Sequence, residues 1–423
     1  MDAPISRFPR LLPRRDRRLG RPVANPLAGP GAPGYRFLMR RTLAPLLLAF
    51  SLATLTAPAQ SIATAPLPAN PSGFVIRRGT NLSHWLSQDF GWQPRAAWLT
   101  ENDFRFIAHA GFDHVRLPLD EKELWRDDDS PNEEAFALML KAIGWARANQ
   151  LRVIVDLHTV RSHHFNAANE GGHNTLFTDP KAQQSFFSRW RQLSARLHDQ
   201  PVDAVAYEIL NEPVAPVHED WNRLVAFSLA VLRKLEPNRV IVIGSNLWQM
   251  PHTLPFLKVP AGDRNIILSI HTYSPMLFTH YTASWVPLKV YTGPVHYPGP
   301  IVPPGTQTDL IKSPGLRDLV GNATDDWGPA RLAQELEPAI RHASELGLQL
   351  YCGEFGCLPT VPRTDRLAYY RDLITTMETN GMAWANWEYK GSFGIFEWHE
   401  QNFTTGAPDM ELIEILLSGL RPK

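Results

Sequence analysis

Short apolar runs alternate with amphipathic segments along the chain from residue 73 onward. Eight apolar runs are typical of buried strands, and they cover residues 74–82, 113–117, 151–158, 205–212, 240–244, 265–271, 348–354 and 382–387. Helical spacing of apolar positions predicts helices over residues 101–110, 133–148, 181–197, 220–235, 329–346, 364–379 and 409–419. This alternation predicts an α/β fold whose parallel sheet closes as a (β/α)8 TIM barrel, in a single domain over residues 73–423. An open doubly wound sheet is disfavoured, because no glycine-rich phosphate loop follows the first strand.

The N-terminal part of the chain lacks this alternation. Residues 1–38 are rich in Arg, Pro and Gly and are expected to be disordered. Residues 39–59 combine a basic start, a short uncharged apolar stretch and a small-x-small site, which predicts a secretory signal peptide cleaved after Ala59. Either Met1 or Met39 is the start in this interpretation. The apolar stretch is too short for a membrane span, so we expect a secreted or periplasmic chain with an Ala/Pro-rich linker over residues 60–72 and no membrane span.

The net charge of zero conceals an uneven distribution. Residues 1–60 carry 10 Arg and 2 Asp, which gives 10 − 2 = +8, and the remainder holds 42 − 10 = 32 basic and 42 − 2 = 40 acidic residues, which gives −8. An acidic main body argues against a nucleic-acid partner. The two cysteines, Cys352 and Cys357, are too few for a disulfide framework or a zinc site. They are expected to be buried thiols, with one local bridge as the alternative in an exported protein.

Polar residues stand where the predicted strands end. The run that starts at residue 205 stops at Asn211-Glu212-Pro213, and the run over 348–354 ends in the Gly-flanked Glu354. In a β/α barrel the catalytic groups come from the carboxyl ends of the strands, and two carboxylates at two such ends suit glycoside hydrolysis. Glu208 has the same parity as Glu212 but lies deeper, so we interpret it as a buried polar group of the barrel. The other polar or aromatic residues at strand ends are Arg116, His158, His271, Tyr273 and Trp387.

This set of residues resembles the signature of glycoside hydrolase family 5, which includes many cellulases and β-mannanases. The resemblance covers nearly all of residues 73–420 and implies a retaining mechanism with Glu212 as acid/base and Glu354 as nucleophile. It implies that Arg116 and Tyr273 lie beside Glu354, and that Asn211 bonds the sugar 2-hydroxyl. It further implies that His158 and His271 position hydroxyls or the carboxylates, and that Trp387 offers a flat apolar face beneath the reacting sugar.

Substrate choice is less constrained by these motifs. His84 and Trp85, after the first strand, are expected near the neighbouring sugar, and Lys390 resembles a lysine of β-glucan-active relatives, although it could instead serve surface solubility. We favour a β-1,4-glucan. A β-mannanase, an exo-acting β-glucanase or β-glucosidase, and a transglycosylase stay open within the same chemistry. A non-catalytic glycan-binding protein would lack one carboxylate, and both are present.

Three further expectations concern the surroundings of the cleft. The connection over residues 271–329 is long and rich in Pro and aromatic residues, which predicts one wall of the cleft. No cofactor and no metal are expected, since the spacing of His163, His164 and His173 beside Glu170 matches no zinc motif. The protein is expected to be a monomer whose partner is a β-glucan or a related polysaccharide or oligosaccharide.

Overall fold

Eight parallel strands form a closed barrel in the computed structural model, which describes residues 69–166, 174–306, 323, 325–399 and 401–418. The barrel strands are β1 (Arg78–Asn81), β2 (His114–Asp120), β3 (Arg152–Thr159), β4 (Val205–Glu208), β5 (Ile241–Gly244), β6 (Ile266–Thr272), β7 (Gln349–Phe355) and β8 (Ala383–Asn386). Each strand pairs in parallel with the next, and β8 closes the ring on β1. The predicted (β/α)8 barrel is therefore confirmed.

Helices surround the barrel. They are α1 (Arg95–Trp98), α2 (Glu101–Ala110), α3 (Glu121–Leu124), α4 (Glu133–Ala148), α5 (Pro180–Leu197), α6 (His218–Leu235), α7 (Met276–Thr279), α8 (Pro329–Leu346), α9 (Arg363–Thr379) and α10 (Met410–Leu417). Short 3-10 helices cover Pro251–Phe256 and Pro287–Val290. Several long helices begin with a proline or a capping side chain, such as Asp179 at α5 and Asn132 at α4, because these satisfy or remove the unpaired N–H groups of the first turn.

Strand alternation divides the core into two apolar layers. Val153, Val155 and Leu157 of β3 belong to the large cluster that packs with the helices. Ile154 belongs instead to the small cluster inside the barrel. Side chains alternate along a strand, so Asp156 and His158 share the inner face with Ile154. The inner face therefore turns from apolar to polar toward the carboxyl ends of the strands.

The first strand is shorter than the pattern predicts. Only Arg78–Asn81 pairs with neighbouring strands, whereas Phe74 and Ile76 are buried in the cluster inside the barrel. The apolar side chains of Phe74 and Ile76 thus close the barrel floor and do not indicate sheet pairing. A second difference is an antiparallel hairpin of Phe396–His399 and Thr404–Pro408 after β8, which the sequence pattern does not predict.

The connection after β6 has structure of its own. It contains α7, the 3-10 helix over Pro287–Val290 and a short antiparallel pair, Gly299–Pro300 with Asp326–Trp327. Tyr297 packs on Tyr369 of α9 and donates a hydrogen bond to Asp372. The described part of this connection is therefore a packed layer.

Two other sequence expectations can be compared with the described residues. Cys352 and Cys357 are free and buried, as expected for packed thiols. No helix among the described residues combines the length and the apolar character that crossing a membrane requires. The predicted signal peptide lies outside the described residues.

Candidate active site

A single buried arginine gathers the polar ends of four strands. Arg116 extends from β2 into the barrel mouth with no solvent exposure. Its guanidinium contacts five acceptors: Glu208 Oε2 at 2.6 Å, Glu354 Oε1 at 2.8 Å, Asn211 Oδ1 at 2.8 Å, Asn81 Oδ1 at 3.0 Å and Asp156 Oδ2 at 3.0 Å. Burial of a cation is costly unless it is fully paired. Burial by itself would lower the pKa of Arg116, but the surrounding carboxylates outweigh it and hold that pKa well above its usual range, so the positive charge is permanent.

Glu354 ends β7 beside this cation. Its Oε1 accepts from Arg116, and its Oε2 accepts from the Tyr273 hydroxyl at 3.0 Å. Burial raises the pKa of Glu354, and the charge on Arg116 and the Tyr273 hydrogen bond oppose that rise. These two contacts favour the carboxylate form and aim it at the open centre of the mouth.

Glu212 faces Glu354 across the mouth. One carboxylate oxygen of each lies within 4.8 Å of the other, in the range of retaining rather than inverting glycosidases. Burial and the negative charge of Glu354 raise the pKa of Glu212 well above its ordinary value. The Arg116 side chain donates to Glu208, Asn81, Glu354 and Asn211 and not to Glu212. The pair therefore contains one carboxyl that keeps its proton and one that ionises more readily.

His271 touches both carboxyls from β6. Its Nδ1 lies 2.9 Å from Glu212 Oε1 and 3.7 Å from Glu354 Oε2. Burial holds the pKa of His271 well below its usual range, so the ring is uncharged. A neutral imidazole here orients Glu212 without stabilising its anion by charge.

His158 and Trp387 stack on each other near the carboxyl ends of β3 and β8. The His158 Nε2 accepts from the Gln88 amide at 3.0 Å, so its Nδ1–H donates to Asp156 Oδ2 at 2.8 Å. Burial lowers the pKa of His158 to about 4. Its ring is parallel to that of Trp387, with centroids 5.6 Å apart. The peptide bond between Trp387 and Glu388 is cis.

Two residues expected near the substrate have other partners. Trp85 is fully buried, and its indole N–H donates to the Arg95 carbonyl at 2.9 Å. Lys390 Nζ lies 2.7 Å from Asp103 and donates to the Trp98 carbonyl at 2.8 Å. Trp85 has no exposed surface, so its expected substrate contact is corrected, whereas a substrate contact of the partly exposed Lys390 stays a prediction. Trp85 and Lys390 support the loops that follow β1 and β8.

His84 occupies an intermediate position. Its Nε2 lies 2.9 Å from Glu388, and its Nδ1 contacts the Gln88 carbonyl at 3.1 Å. Burial disfavours the imidazolium, but the Glu388 carboxylate outweighs that effect and raises the pKa of His84. Its ring also packs against Trp92, with centroids 4.6 Å apart. His84 therefore joins the polar mouth to an aromatic surface.

Sequence reasoning missed three buried polar residues of the site. Asp156 was detectable as a charge within the apolar run of β3, and Glu388 as the neighbour of Trp387. Gln249 is fully buried and hydrogen-bonds the backbone N–H of Glu212 at 2.8 Å. It lies outside every helix and strand, so no periodicity could single it out.

The histidines that follow β3 have different surroundings in the structure. His163 is buried, its Nε2 accepts from the Val214 N–H at 3.3 Å, and burial lowers its pKa to about 3. His164 is exposed, and His173 and Glu170 lie outside the described residues. Among the described residues, the group with metal-ligand spacing is Glu212, His271 and Glu354, which is the carboxyl pair with its histidine neighbour.

Comparisons with known proteins agree with this geometry. Residues 70–392 match the sequence model of the family described as Cellulase (glycosyl hydrolase family 5). Endoglucanase C of Acetivibrio thermocellus is 30% identical over 320 residues, which cover 74% of this chain and 91% of that protein. Cellodextrinase A of Ruminococcus flavefaciens is 28% identical over 311 residues, which cover 73% and 84%.

Solved structures share the fold. Endoglucanase Cel5A of Thermotoga maritima superposes with a TM-score of 0.64 at 24% sequence identity, over 82% of this chain and 98% of that one. Because the family model spans most of the chain, the chain belongs to glycosyl hydrolase family 5 and is a retaining glycoside hydrolase.

Proposed function

We propose that the protein is a secreted, cellulase-like hydrolase of a β-1,4-glucan, with Glu354 as nucleophile and Glu212 as acid/base. The observation that carries the assignment is the asymmetry of the facing carboxyls. Glu354 is bound by Arg116 and Tyr273, whereas Glu212 is bound by the neutral His271. These contacts thus favour the ionised form of Glu354 and the protonated form of Glu212.

The first chemical step forms a bond between a Glu354 oxygen and the anomeric carbon. The bond from that carbon to the leaving oxygen breaks, and the Glu212 proton moves to the leaving oxygen. Arg116 and Tyr273 set the Glu354 carboxylate for attack. The Asn211 amide, whose oxygen is held by Arg116, keeps its NH₂ available for the sugar 2-hydroxyl.

The second step reverses the roles. Water attacks the anomeric carbon, Glu212 accepts a proton from it, and Glu354 departs as a carboxylate, so the product keeps the β configuration. Trp387 offers a flat apolar face to the sugar, and His158, held by Asp156, is placed to contact its hydroxyls. A sugar hydroxyl in place of water would give transglycosylation through the same residues.

The β-1,4-glucan assignment is supported by the names of the relatives, which include endoglucanases and a cellodextrinase. Two other substrates have specific support. A Thermotoga maritima structure of the same fold is described in complex with mannotriose, and a glucan 1,3-beta-glucosidase of Blumeria graminis is 29% identical over 182 residues.

A substrate panel tests this proposal. The purified chain from residue 60 onward is incubated with cellulose derivatives, mixed-linkage glucan, β-1,3-glucan, mannan, xylan and aryl glycosides, and the products are sized by chromatography. Oligosaccharides of several lengths released first from a soluble β-1,4-glucan would support an endo-acting β-1,4-glucanase. Monosaccharide alone would indicate exo action, and faster release from mannan would contradict the glucan assignment.

A further inference from the structure

The backbone of Glu212 stands in an unfavourable conformation. Its φ is 45°, in the left-handed region that residues with a side chain seldom adopt. The backbone N–H groups of Ile209 and Asn211 donate to the backbone carbonyls of Val242 and Leu157 in neighbouring segments. The Glu212 N–H lies outside this backbone pairing and donates to a side chain instead. Such a conformation persists only where its surroundings hold it.

The side chain that receives this N–H is Gln249. Its Oε1 accepts from the Glu212 N–H at 2.8 Å, and its Nε2 donates to Glu208 Oε1 at 3.3 Å. Its backbone carbonyl accepts from the His271 N–H at 2.9 Å. Gln249 therefore connects Glu212, the carboxylate that pairs with Arg116, and the histidine that contacts the Glu212 carboxyl.

An amide is the group that this position requires. One neighbour is a donor, the Glu212 N–H, and the other is an acceptor, the Glu208 carboxylate, so the amide orientation follows from its partners. An apolar side chain of the same size would leave both groups unpaired. An ionised carboxylate would serve the N–H but would face Glu208 with a second negative charge.

The segment that presents Gln249 is itself constrained. Leu247, Trp248 and Gln249 have φ values of 63°, 58° and 55°, and left-handed residues normally occur singly. The Leu247 and Trp248 N–H groups donate to the Pro213 carbonyl at 2.8 and 3.3 Å. This left-handed segment, residues 247–249, is thus attached to the residue that follows Glu212.

The neighbouring residues reinforce this attachment. The Asn246 side chain accepts from the Ala215 N–H at 2.7 Å and donates to the Ala215 carbonyl at 3.0 Å. Gly244 leaves room for the glutamine, since a Cβ there would lie 2.2 Å from Gln249 Nε2. Residues 244–249 therefore hold the turn that carries Glu212 at several points, of which Gln249 is the one that touches Glu212 itself.

We propose that Gln249 is a positioning residue for the acid/base, holding the Glu212 backbone in its left-handed conformation so that the carboxyl meets the leaving oxygen. This inference rests on the proposed role of Glu212. Loss of Gln249 should therefore impair only proton delivery by the displaced Glu212, because Glu354 remains bound to Arg116 and Tyr273.

The test compares leaving groups. In Gln249→Met, kcat/KM for phenyl β-cellobioside should fall about 10- to 100-fold, since a small misplacement of a catalytic group has that effect. For dinitrophenyl β-cellobioside, whose leaving group needs no proton, kcat/KM should stay within about threefold. Gln334→Met, on the exposed face of α8, is the matched control and should leave both values unchanged.

A second variant keeps the side-chain shape. In Gln249→Glu, the neutral acid can accept from the Glu212 N–H and donate to Glu208. Its anion would face the carboxyls of Glu208 and Glu212. Among the charged and titratable groups named for this site, the one that attracts the anion is Arg116, which lies beyond Glu208, because His271 is neutral. Activity on phenyl β-cellobioside should be near the wild-type level at low pH and fall as the introduced acid ionises, so the basic limb moves to lower pH.

Equal losses on both substrates, or failure of both variants to fold, would overturn the inference in favour of a purely structural glutamine. No loss on either substrate would overturn it by showing that Glu212 does not depend on Gln249. Glu212→Gln, measured in parallel, separates the two levels of the argument. If that variant shows no dependence on the leaving group, the role proposed for Glu212 fails. If it does and Gln249→Met does not, only the role of Gln249 fails.

Discussion

Arg116 is the residue on which the charge balance of the barrel mouth depends. It is the cation shared by Asp156, Glu208 and Glu354, and its pairing with each is direct. Three buried carboxyls thus share one arginine, so one positive charge cannot balance three carboxylates. Burial accordingly raises the pKa of Asp156 to about 7 and also raises that of Glu208, so part of this cluster holds protons near neutral pH.

Replacement of Arg116 tests this balance. Arg116→Lys keeps the charge but cannot reach five acceptors in a planar fork, so kcat/KM should fall on the order of a hundredfold. Arg116→Met should also destabilise the fold by about 3–5 kcal/mol, because the carboxylates lose their partner. Steady-state kinetics and chemical denaturation measure the two effects. Arg105→Lys, exposed on α2, is the control, and an active Arg116→Lys would contradict the account.

The carboxyl pair predicts the pH dependence of activity. The proposed mechanism requires a protonated Glu212 and an ionised Glu354, so kcat/KM should fall as pH rises through the raised pKa of Glu212 and as pH drops through the raised pKa of Glu354. Glu212→Gln should therefore lose the basic limb when assayed with a dinitrophenyl glycoside. Profiles of kcat/KM over about pH 4 to 9 measure this. A basic limb that survives in Glu212→Gln would assign it to another group.

At the scale of elements, the sequence predicted what periodicity reports. All eight strands and the long helices follow from apolar spacing, although β1 is shorter than predicted and β4 ends at Glu208 rather than at Glu212. The polar residues that interrupt this spacing indicated which side chains lie near the carboxyl ends of the strands. Gln249 and the hairpin after β8 could not be predicted, because left-handed segments and short surface ladders have no repeating pattern. Trp85 was misplaced for a related reason: proximity in sequence to a strand end does not specify which way a loop side chain points.

The connection after β6 gives the prediction at this scale. Trp285 is 56% exposed, and its ring lies 6.3 Å from that of Phe393, which in turn packs against Tyr273 of the site. We expect Trp285→Ala to raise KM for a soluble β-glucan about 3- to 10-fold, the size of a lost aromatic contact, with little change for an aryl glycoside. Phe227→Ala, removing an equally exposed aromatic residue of α6, is the control. An unchanged KM on the polymer would exclude this connection from the cleft.

At the scale of the whole molecule, the barrel is assigned from its family match and its side chains, whereas the N-terminal segment is assigned from its sequence alone. The barrel spans the family match over residues 70–392, and its chemistry follows from the residues at its mouth. The segment before it is assigned from composition alone, as a basic extension, a signal peptide and a linker. Export is therefore a proposal, and its test uses protein isolated from the cells that produce the full chain.

Cleavage after Ala59 is the corresponding prediction. The mature protein should begin at Gln60, because Ala57 and Ala59 form the small-x-small site at the end of the apolar stretch. Intact-mass spectrometry of protein from the secreted or periplasmic fraction measures the N-terminus. Substitution of Ala59 by a bulky residue should leave the precursor uncleaved. An uncleaved wild-type chain in the cytoplasm would refute the assignment.

The division of roles between the two carboxyls is tested most directly by trapping the covalent intermediate. A 2-fluoro β-cellobioside with a dinitrophenyl leaving group forms the glycosyl-enzyme readily and loses it slowly, because the fluorine destabilises the transition states of both steps. Digestion and mass spectrometry then locate the labelled residue. The account predicts one fluorocellobiosyl group on Glu354, and none on a Glu354→Gln variant. A label on Glu212, or a burst of released dinitrophenol with no labelled peptide, would contradict it.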